Sequence, residues 1–270
     1  MIVEETLKLI EKYASKHDVV YVDFSGGKDS IVTLHLVKRV LPSSRFKVLL
    51  IDKTILLPGT IEFVKEVCDD WGLDLLIVSR KDIDGKDFEY FVLRWGFPKR
   101  IHCLWCWDEL TIKVLKWLGN DHNILHITGI RRSESRYRRI FYREYYHKHH
   151  KAQFYVLHPI LDWDDNVRNE YLRKHNLPII KHYDEVGRSG CFYCPFVTSI
   201  KYYIRLYQHY PKCFMKIIEW ENKMRKGGAA LWIPGYGPLH LKNLLNLLTM
   251  TTVNELLQQS EKELKQKVIK

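Results

Sequence analysis

The sequence lacks any apolar run long enough to span a bilayer, and its first ten residues hold two glutamates and no long apolar stretch. These absences argue against membrane contact and against a secretory signal, so we expect a cytoplasmic protein. Internal repeats and low-complexity segments are also absent. A chain of 270 residues with 46% hydrophobic residues can then bury one substantial core, with or without a smaller appended piece.

Acidic residues are scarce relative to basic ones, since 43 Lys and Arg oppose 32 Asp and Glu, a net charge of +11. This balance favours acidic partners such as nucleotides, phosphate or nucleic acid. Residues 131–151 hold six arginines and two lysines against two glutamates, interleaved with tyrosines. The stretch has two interpretations: a surface for tRNA or DNA, where bases stack and cations hold phosphates, or a pair of strands whose tyrosines pack inward while the arginines meet a nucleotide.

A glycine-containing segment follows the first apolar run and precedes a helical pattern. It reads Ser25, Gly26, Gly27, Lys28, Asp29, Ser30. Free backbone N–H groups and one lysine at a helix N-terminus form a binding site for an anion, and phosphate is the obvious ligand. A plain glycine turn would explain the two glycines but not the serines and the lysine together.

Short apolar runs alternate with helical patterns in the first half of the chain. Strands are predicted at 19–24, 47–51, 74–78 and 124–128, and helices at 29–40, 60–71 and 108–118. This alternation predicts an α/β fold with a doubly wound, mostly parallel sheet of the Rossmann-like kind. From residue 164 onward the sequence is rich in helical patterns. We therefore expect an α/β nucleotide-binding domain over 1–195, which includes the cysteine pairs, and a helical C-terminal subdomain over 196–270.

Ligands of such sheets bind beyond the carboxyl ends of the strands, which brings three segments to one rim. The second strand leads to Asp52, which can bind a ribose hydroxyl or a metal ion. The fourth leads to Arg131, which can pair with phosphate or sulfate, as can the other arginines of its segment. We expect Arg131 and Arg138 to bind such an anion.

Four of the six cysteines form two C-x-x-C pairs, Cys103 with Cys106 and Cys191 with Cys194. In a reducing compartment such pairs usually bind metal or perform redox chemistry. Four thiolates suffice for a tetrahedral Zn site or for a [4Fe–4S] cluster, and the spacing does not choose between them. Disulfides are the weaker alternative.

The three rim segments and the segment of the second cysteine pair resemble known motifs. Residues 25–30 match the Ser-Gly-Gly-x-Asp-Ser loop of the PP-loop ATP pyrophosphatases at every fixed position. Residues 129–138 match the Gly-x-Arg-x-x-Glu-Ser-x-x-Arg motif of the phosphoadenosine phosphosulfate (PAPS) reductase family. This match implies that Gly129, Arg131, Glu134 and Arg138 contact the nucleotide. Residues 190–195 resemble the family's Gly-Cys-x-x-Cys-Pro motif, and residues 52–60 its Asp-Thr-Gly-x-x-Phe-Pro-Glu-Thr motif in part.

The resemblance implies an adenine nucleotide, either ATP or a sulfonucleotide (PAPS or its unphosphorylated relative APS), bound by the loop. It implies a [4Fe–4S] cluster on Cys103, Cys106, Cys191 and Cys194, as in four-cysteine family members and in their relatives of tRNA thiolation and DNA phosphorothioation. Lys28, Asp29 and Arg131 are the expected catalytic residues, and Asp29 or Asp52 would help to place Mg²⁺.

Two departures from the family pattern bear on the reaction. The loop is intact, whereas sulfonucleotide reductases, which do not split ATP, usually have a degenerate version. No cysteine follows Cys213, so the nucleophilic cysteine on the C-terminal tail of those reductases is missing, and Cys213 itself is expected in the core. Thr54 and Gly59 also replace the usual glycine and glutamate of the second motif.

Three functions follow from these observations. The leading hypothesis is an enzyme that adenylates an acceptor, tRNA or DNA, with release of pyrophosphate coupled to sulfur transfer, with the sulfur or electrons coming from a donor protein. The alternative is a sulfonucleotide reductase that produces sulfite. The third is a nucleic-acid-binding protein with a structural zinc.

Overall fold

The computed structural model describes residues 2–100, 104–119, 123–149, 152–224, 228–233 and 237–269. Within these ranges a six-stranded sheet has the order β3-β2-β1-β4-β6-β5, and all its neighbours are parallel except β5, which is antiparallel to β6. The predicted α/β class and mostly parallel sheet are thus confirmed. Its strands are β1 (Val19–Asp23), β2 (Lys47–Asp52), β3 (Leu75–Ser79), β4 (Ile124–Thr128), β5 (Glu144–His149) and β6 (Ala152–Leu157).

The helices of the first two thirds of the chain cover both faces of this sheet. One face packs its alternate strand residues, such as Val22, against Ile10, Ile31 and Leu172, while the other packs Leu49 and its neighbours against the segment before residue 119. The helices are α1 (Ile2–Ala14), α2 (Lys28–Val40), α3 (Thr60–Trp71), α4 (Arg80–Asp84), α5 (Phe88–Trp95), α6 (Trp105–Trp107), α7 (Lys113–Leu118) and α8 (Asp165–Lys174).

Local sequence signals explain where several helices begin and end. Helix α3 has the predicted bounds and ends at Gly72, whose φ of 63° is the left-handed conformation that glycine adopts without strain. Helix α8 begins after Asp164, whose carboxylate accepts a hydrogen bond from the Val167 N–H at 2.8 Å. The predicted helix over 108–118 is interrupted, because a π-helical turn, Asp108–Ile112, connects α6 to α7. Short 3-10 turns occupy Ser43–Arg45, Arg132–Glu134 and Arg136–Ile140.

The C-terminal region is helical, as expected, with one small two-stranded sheet. Its apolar side chains share a core with α5 and with the second cysteine pair, since Phe91, Phe192, Phe214 and Leu244 belong to one buried cluster. The division of the chain at residue 195 stays a prediction. The elements are α9 (His182–Glu185), α10 (Ile200–His209), α11 (Pro211–Lys223), β7 (Leu231–Ile233), β8 (Gly237–Leu239), α12 (Leu241–Met250), α13 (Val253–Gln258) and α14 (Glu261–Ile269).

A buried carboxylate joins these C-terminal elements. Glu221 of α11 accepts hydrogen bonds from the Ala230 N–H at 2.7 Å and from the Leu241 N–H at 3.0 Å, so it caps the start of α12. Burial raises the pKa of Glu221 to about 7. Among the described residues, no helix is both long and apolar enough to cross a membrane.

Candidate active site

The loop between β1 and α2 has the conformation that its glycines predict. Gly26 has a φ of 74°, which residues with a side chain rarely adopt, and Gly27 directly precedes α2. The Ser30 hydroxyl folds back on the loop: it accepts a hydrogen bond from the Gly27 N–H at 3.1 Å and donates one to the Gly27 carbonyl at 2.9 Å. The Ser25 hydroxyl lies 3.2 Å from that of Ser30. The two serines therefore fix the shape of the loop from inside.

Tyr183 of α9 lies against the loop and contacts Lys28 twice. Its hydroxyl oxygen accepts a hydrogen bond from the Lys28 N–H at 3.0 Å, and the Lys28 ammonium lies 4.2 Å from the centre of the tyrosine ring. The same hydroxyl is 3.1 Å from Ser189 Oγ. Ser189 is also close to the loop, because a Cβ added to Gly27 would lie 3.0 Å from its Oγ. The segment that leads to the second cysteine pair thus adjoins the loop.

The end of β4 packs directly on the first turn of α2. A Cβ added to Gly129 would lie 2.7 Å from the backbone carbonyl of Asp29 and from the amide nitrogen of Ser30. Such a distance is shorter than real contacts allow, so residue 129 must be a glycine for this approach. β1 and β4 are neighbours in the sheet, but their connections run in opposite directions across it. The loop therefore lies at the switch point where ligands bind in such folds.

Arg131 is almost entirely buried, with 2% of its surface exposed, and its guanidinium lies in a network of charges. Its Nε donates to Asp29 Oδ1 at 2.6 Å, and its Nη2 donates to Asp165 Oδ1 at 2.9 Å. Its Nη1 donates to Ser133 Oγ at 2.6 Å. Arg168 binds the same two carboxylates, at 2.9 Å and 2.8 Å. The network ties the β4 loop to the first turn of α2.

Other charged residues of the basic stretch are also paired. Glu134 accepts a hydrogen bond from the Arg131 N–H at 3.0 Å and forms an ion pair with Arg138. Arg132 and Arg143 both pair with Asp162. Of the strand pair that one interpretation predicts within this stretch, only β5 lies there, and it pairs with β6, which begins beyond it at Ala152. Tyr145 of β5 packs on the sheet. Tyr142, another aromatic residue of the basic stretch, is 74% exposed to solvent.

Asp52 lies at the end of β2, as predicted, and begins a tight turn. Its Oδ1 accepts a hydrogen bond from the Thr54 N–H at 2.7 Å, and burial raises the pKa of Asp52. Thr54 has a φ of 61°, a left-handed conformation that explains why the family motif has glycine there. A hydrogen bond offsets part of the cost of this backbone conformation: the Thr54 hydroxyl accepts it from the Phe88 N–H, at the start of α5, at 3.0 Å.

The second cysteine pair is bound by backbone hydrogen bonds to the segment after Asp52. Leu57 N–H donates to the Gly190 carbonyl and Phe192 N–H donates to the Ile55 carbonyl, both at 2.9 Å, so Cys191 lies opposite Leu56. Cys106 lies close enough to both Cys191 and Cys194 to interact with them electrostatically. Cys106, Cys191 and Cys194 therefore lie in the same part of the fold, while Cys103 lies outside the described residues.

Two partly buried cations, Lys53 and Arg188, act on these thiols. Burial raises the pKa of Cys106 to about 12, whereas the nearby Lys53 lowers it, and Lys53 and Arg188 act in the same direction on Cys191. The positive charge of Arg188 interacts favourably with Cys194, which raises the pKa of Arg188. Its Nη1 and the Tyr203 hydroxyl are buried without a hydrogen-bond partner. Unpaired buried donors beside a set of thiols suit an anionic thiolate-bound group, whose sulfur atoms accept hydrogen bonds.

All five cysteines that the structure describes are free thiols. Cys68 and Cys213 are buried in the core, as the sequence predicts. Among the described residues, no three His, Cys, Asp or Glu side chains stand close enough to hold a metal ion by themselves.

Sequence reasoning missed several residues of the site. Tyr183, Arg168, Asp165 and Arg188 have no motif of their own, and ordinary polar residues on a helical or loop pattern give no signal for a contact across the fold. Only Ser189, next to the Gly-Cys-x-x-Cys-Pro motif, had a position that could have drawn attention.

Comparisons with known proteins agree with this geometry. Residues 19–197 match the phosphoadenosine phosphosulfate reductase domain. Two uncharacterized proteins of Methanocaldococcus jannaschii are similar, one 28% identical over 83% of this chain and 53% of its own length, the other 30% identical over 77% of this chain and 42% of its own length. The chain therefore spans about half the length of these relatives.

A solved structure supports the fold. The phosphate complex of phosphoadenylyl-sulfate (PAPS) reductase from Candida auris superposes with a TM-score of 0.50 at 16% identity, covering 67% of this chain and 84% of that one. The domain match covers more than half of the chain, and the sheet order, the loop at the switch point and the ordered motifs agree with it. The chain belongs to the phosphoadenosine phosphosulfate reductase family and has its PP-loop fold.

Proposed function

We propose that the protein binds ATP over residues 25–30, adenylates an acceptor with release of pyrophosphate, and couples this step to sulfur transfer. The observation that supports the proposal most strongly is the intact loop. Two serines shape it, its N–H groups lie at the N-terminus of a 13-residue helix, and Lys28 provides a cation. A leaving pyrophosphate develops its charge where these groups can stabilise it.

The chemistry is balanced without an oxidant or a reductant. An acceptor oxygen attacks the α-phosphorus of ATP, and the bond to the bridging oxygen breaks as pyrophosphate leaves with the electron pair. A hydrosulfide then attacks the activated carbon of the acceptor and loses its proton to water. The carbon–oxygen bond breaks, and AMP leaves with its electrons.

The charge network supports positioning roles for two of the predicted catalytic residues. Asp29 and Arg131 bind one another and hold the first turn of α2 against the β4 loop, so in our proposal they shape the loop while Lys28 and the N–H groups contact phosphate. Asp29 also pairs with Arg168, which leaves Asp52 as the better carboxylate for Mg²⁺. The nucleotide contacts of Gly129, Glu134 and Arg138 remain proposals of the same kind.

Cys103, Cys106, Cys191 and Cys194 would bind a [4Fe–4S] cluster, with Zn as the alternative. Such a cluster supplies a site that holds sulfur or passes electrons close to the nucleotide. Lys53 and Arg188 offset the negative charge of the bound thiolates, and Arg188 and Tyr203 offer donors to its sulfur atoms. We propose a cytoplasmic location, because a reducing compartment keeps such thiols available.

The acceptor is proposed to be tRNA or DNA, and the sulfur or electrons to come from a donor protein. Exposed residues of the basic stretch, among them Tyr142 and Arg139, support a nucleic acid. The ion pairs of Arg132, Arg138 and Arg143 reduce the charge that remains free for such contacts.

Pyrophosphate release from ATP, measured with the anaerobically purified protein and candidate acceptors, tests the proposal. The Lys28→Ala variant should lose about 100- to 1,000-fold in turnover, the usual effect of removing one group that stabilises developing charge. Lys38→Ala, on the same helix but packed on the Trp71 ring, should retain activity. Pyrophosphate release at the same rate in both variants would contradict the proposal.

A second candidate, a sulfonucleotide reductase, is favoured by the family match and by the order of the motifs. It would produce sulfite from PAPS or APS and no pyrophosphate from ATP. Assays of sulfite and pyrophosphate on the same preparation separate the two functions.

A further inference from the structure

Tyr183 contacts the two groups of Lys28, its N–H and its ammonium, that bind phosphate in the proposed function. Its hydroxyl oxygen accepts a hydrogen bond from the Lys28 N–H at 3.0 Å, and the Lys28 ammonium lies 4.2 Å from the centre of its ring. A polyphosphate that uses the backbone and the side chain of Lys28 must therefore displace both contacts. The tyrosine is 155 residues away from the lysine in sequence, so the contact is a feature of the folded chain.

The displaced residue belongs to the segment that leads to the cysteine pair. Tyr183 and Ser189 are linked through their hydroxyl oxygens at 3.1 Å, and Ser189 reaches the loop beside Gly27. From Gly190 to Phe192 the backbone is hydrogen-bonded to the segment after β2. One continuous stretch, residues 183–192, thus touches the phosphate loop at one end and includes Cys191 at the other.

We propose that Tyr183 is a positioning residue that competes with phosphate for Lys28, and that its displacement on nucleotide binding loosens residues 183–192. The cysteine pair would then respond to occupancy of the loop. This inference rests on the proposed function, because it requires that the loop binds a polyphosphate.

Binding of inorganic pyrophosphate and of a non-hydrolysable ATP analogue to the full-length protein, measured by calorimetry, tests the competition. Tyr183→Phe removes the hydroxyl and leaves the ring, so it frees the Lys28 N–H. We expect binding about fivefold tighter, since a hydrogen bond of this type contributes roughly 1 kcal/mol. Tyr183→Leu also removes the ring contact and should tighten binding further.

Tyr207→Phe is the matched control, because the Tyr207 ring packs on Phe214 in the C-terminal core. Its affinity should equal that of the unsubstituted protein. A merely structural role of Tyr183 would weaken binding or leave it unchanged, and either result overturns the inference. Absence of pyrophosphate binding in the unsubstituted protein and in all variants would instead overturn the proposed function.

Amide hydrogen exchange of the peptide over residues 183–192 tests the second part. In the unsubstituted protein, exchange should become faster when pyrophosphate is added. In Tyr183→Phe it should already be fast without ligand, because the tether to the loop is weakened. Exchange that is unchanged by pyrophosphate, or equally slow in the variant, would show that the loop and the cysteine segment are not coupled.

Discussion

Substitution of Gly129 by alanine tests whether the close approach of β4 and α2 forms the loop. An alanine Cβ would lie 2.7 Å from three backbone atoms of Asp29 and Ser30, where ordinary contact begins at 3.4 Å. The two backbones must therefore separate by about 0.7 Å, because neither can rotate away as a side chain would. Overpacking of this kind costs about 1–3 kcal/mol of stability.

Thermal unfolding and pyrophosphate release measure the two consequences. The melting temperature of Gly129→Ala should fall by roughly 2–4 °C for each kcal/mol lost. The added methyl group displaces the first turn of α2, which is part of the phosphate loop. A displacement near 1 Å at a reacting group can reduce turnover about 100-fold.

Gly85→Ala is a suitable control for this experiment. Gly85 has a φ of 74° and nothing within 4 Å of an added Cβ, so alanine there costs roughly 1 kcal/mol from backbone strain alone. It should lower the melting temperature and leave pyrophosphate release unchanged. If Gly129→Ala unfolded at the unsubstituted protein's temperature and released pyrophosphate at its rate, the reasoning about this contact would be refuted.

Two further predictions concern buried charges. Burial raises the pKa of Glu221 from 4.5 to about 7. Between these values the folded protein retains a proton that the unfolded chain releases. The free energy of unfolding should therefore fall by up to about 3 kcal/mol as the pH rises from 5 to 7.5. Denaturant titrations across this pH range should show a smaller fall in Glu221→Gln, and an unchanged fall would contradict the prediction. Arg131→Met removes one buried partner of Asp29 and should lower the free energy of unfolding by about 3–5 kcal/mol in a thermal melt. Arg132→Met, whose ion pair is half-exposed, should lower it by less than about 1 kcal/mol. Equal effects of the two substitutions would contradict this prediction.

The sheet and the phosphate loop could be predicted from sequence because their signals are local. The predicted bounds of strand β4 (124–128) and helix α3 (60–71) equal the observed ones, because apolar periodicity and a terminal glycine act within a few residues. Strand β5 follows from only one of the two interpretations of the basic stretch, because tyrosines between arginines suit both an edge strand and a nucleic-acid surface. Strand β6 lies beyond that stretch and is not predicted.

The partners of the site residues could not be predicted in the same way. Arg131 was expected at a phosphate or sulfate, yet it lies with Asp29 and Asp165 in a buried network. A motif shows which residue types occur together, but not which of two anions an arginine meets. The contact between Tyr183 and Lys28 joins distant parts of the chain, and no periodicity indicates such pairs.

The pairing of Ile55 and Leu57 with Gly190 and Phe192 has a consequence for biosynthesis. During translation, the segment after β2 leaves the ribosome long before the residues around Cys191 with which it pairs. Closing so long a stretch is entropically costly and slow, so the pocket would mature late, after the central sheet has formed. A metal or cluster on the proposed cysteine ligands would accordingly be bound only after this pairing has formed.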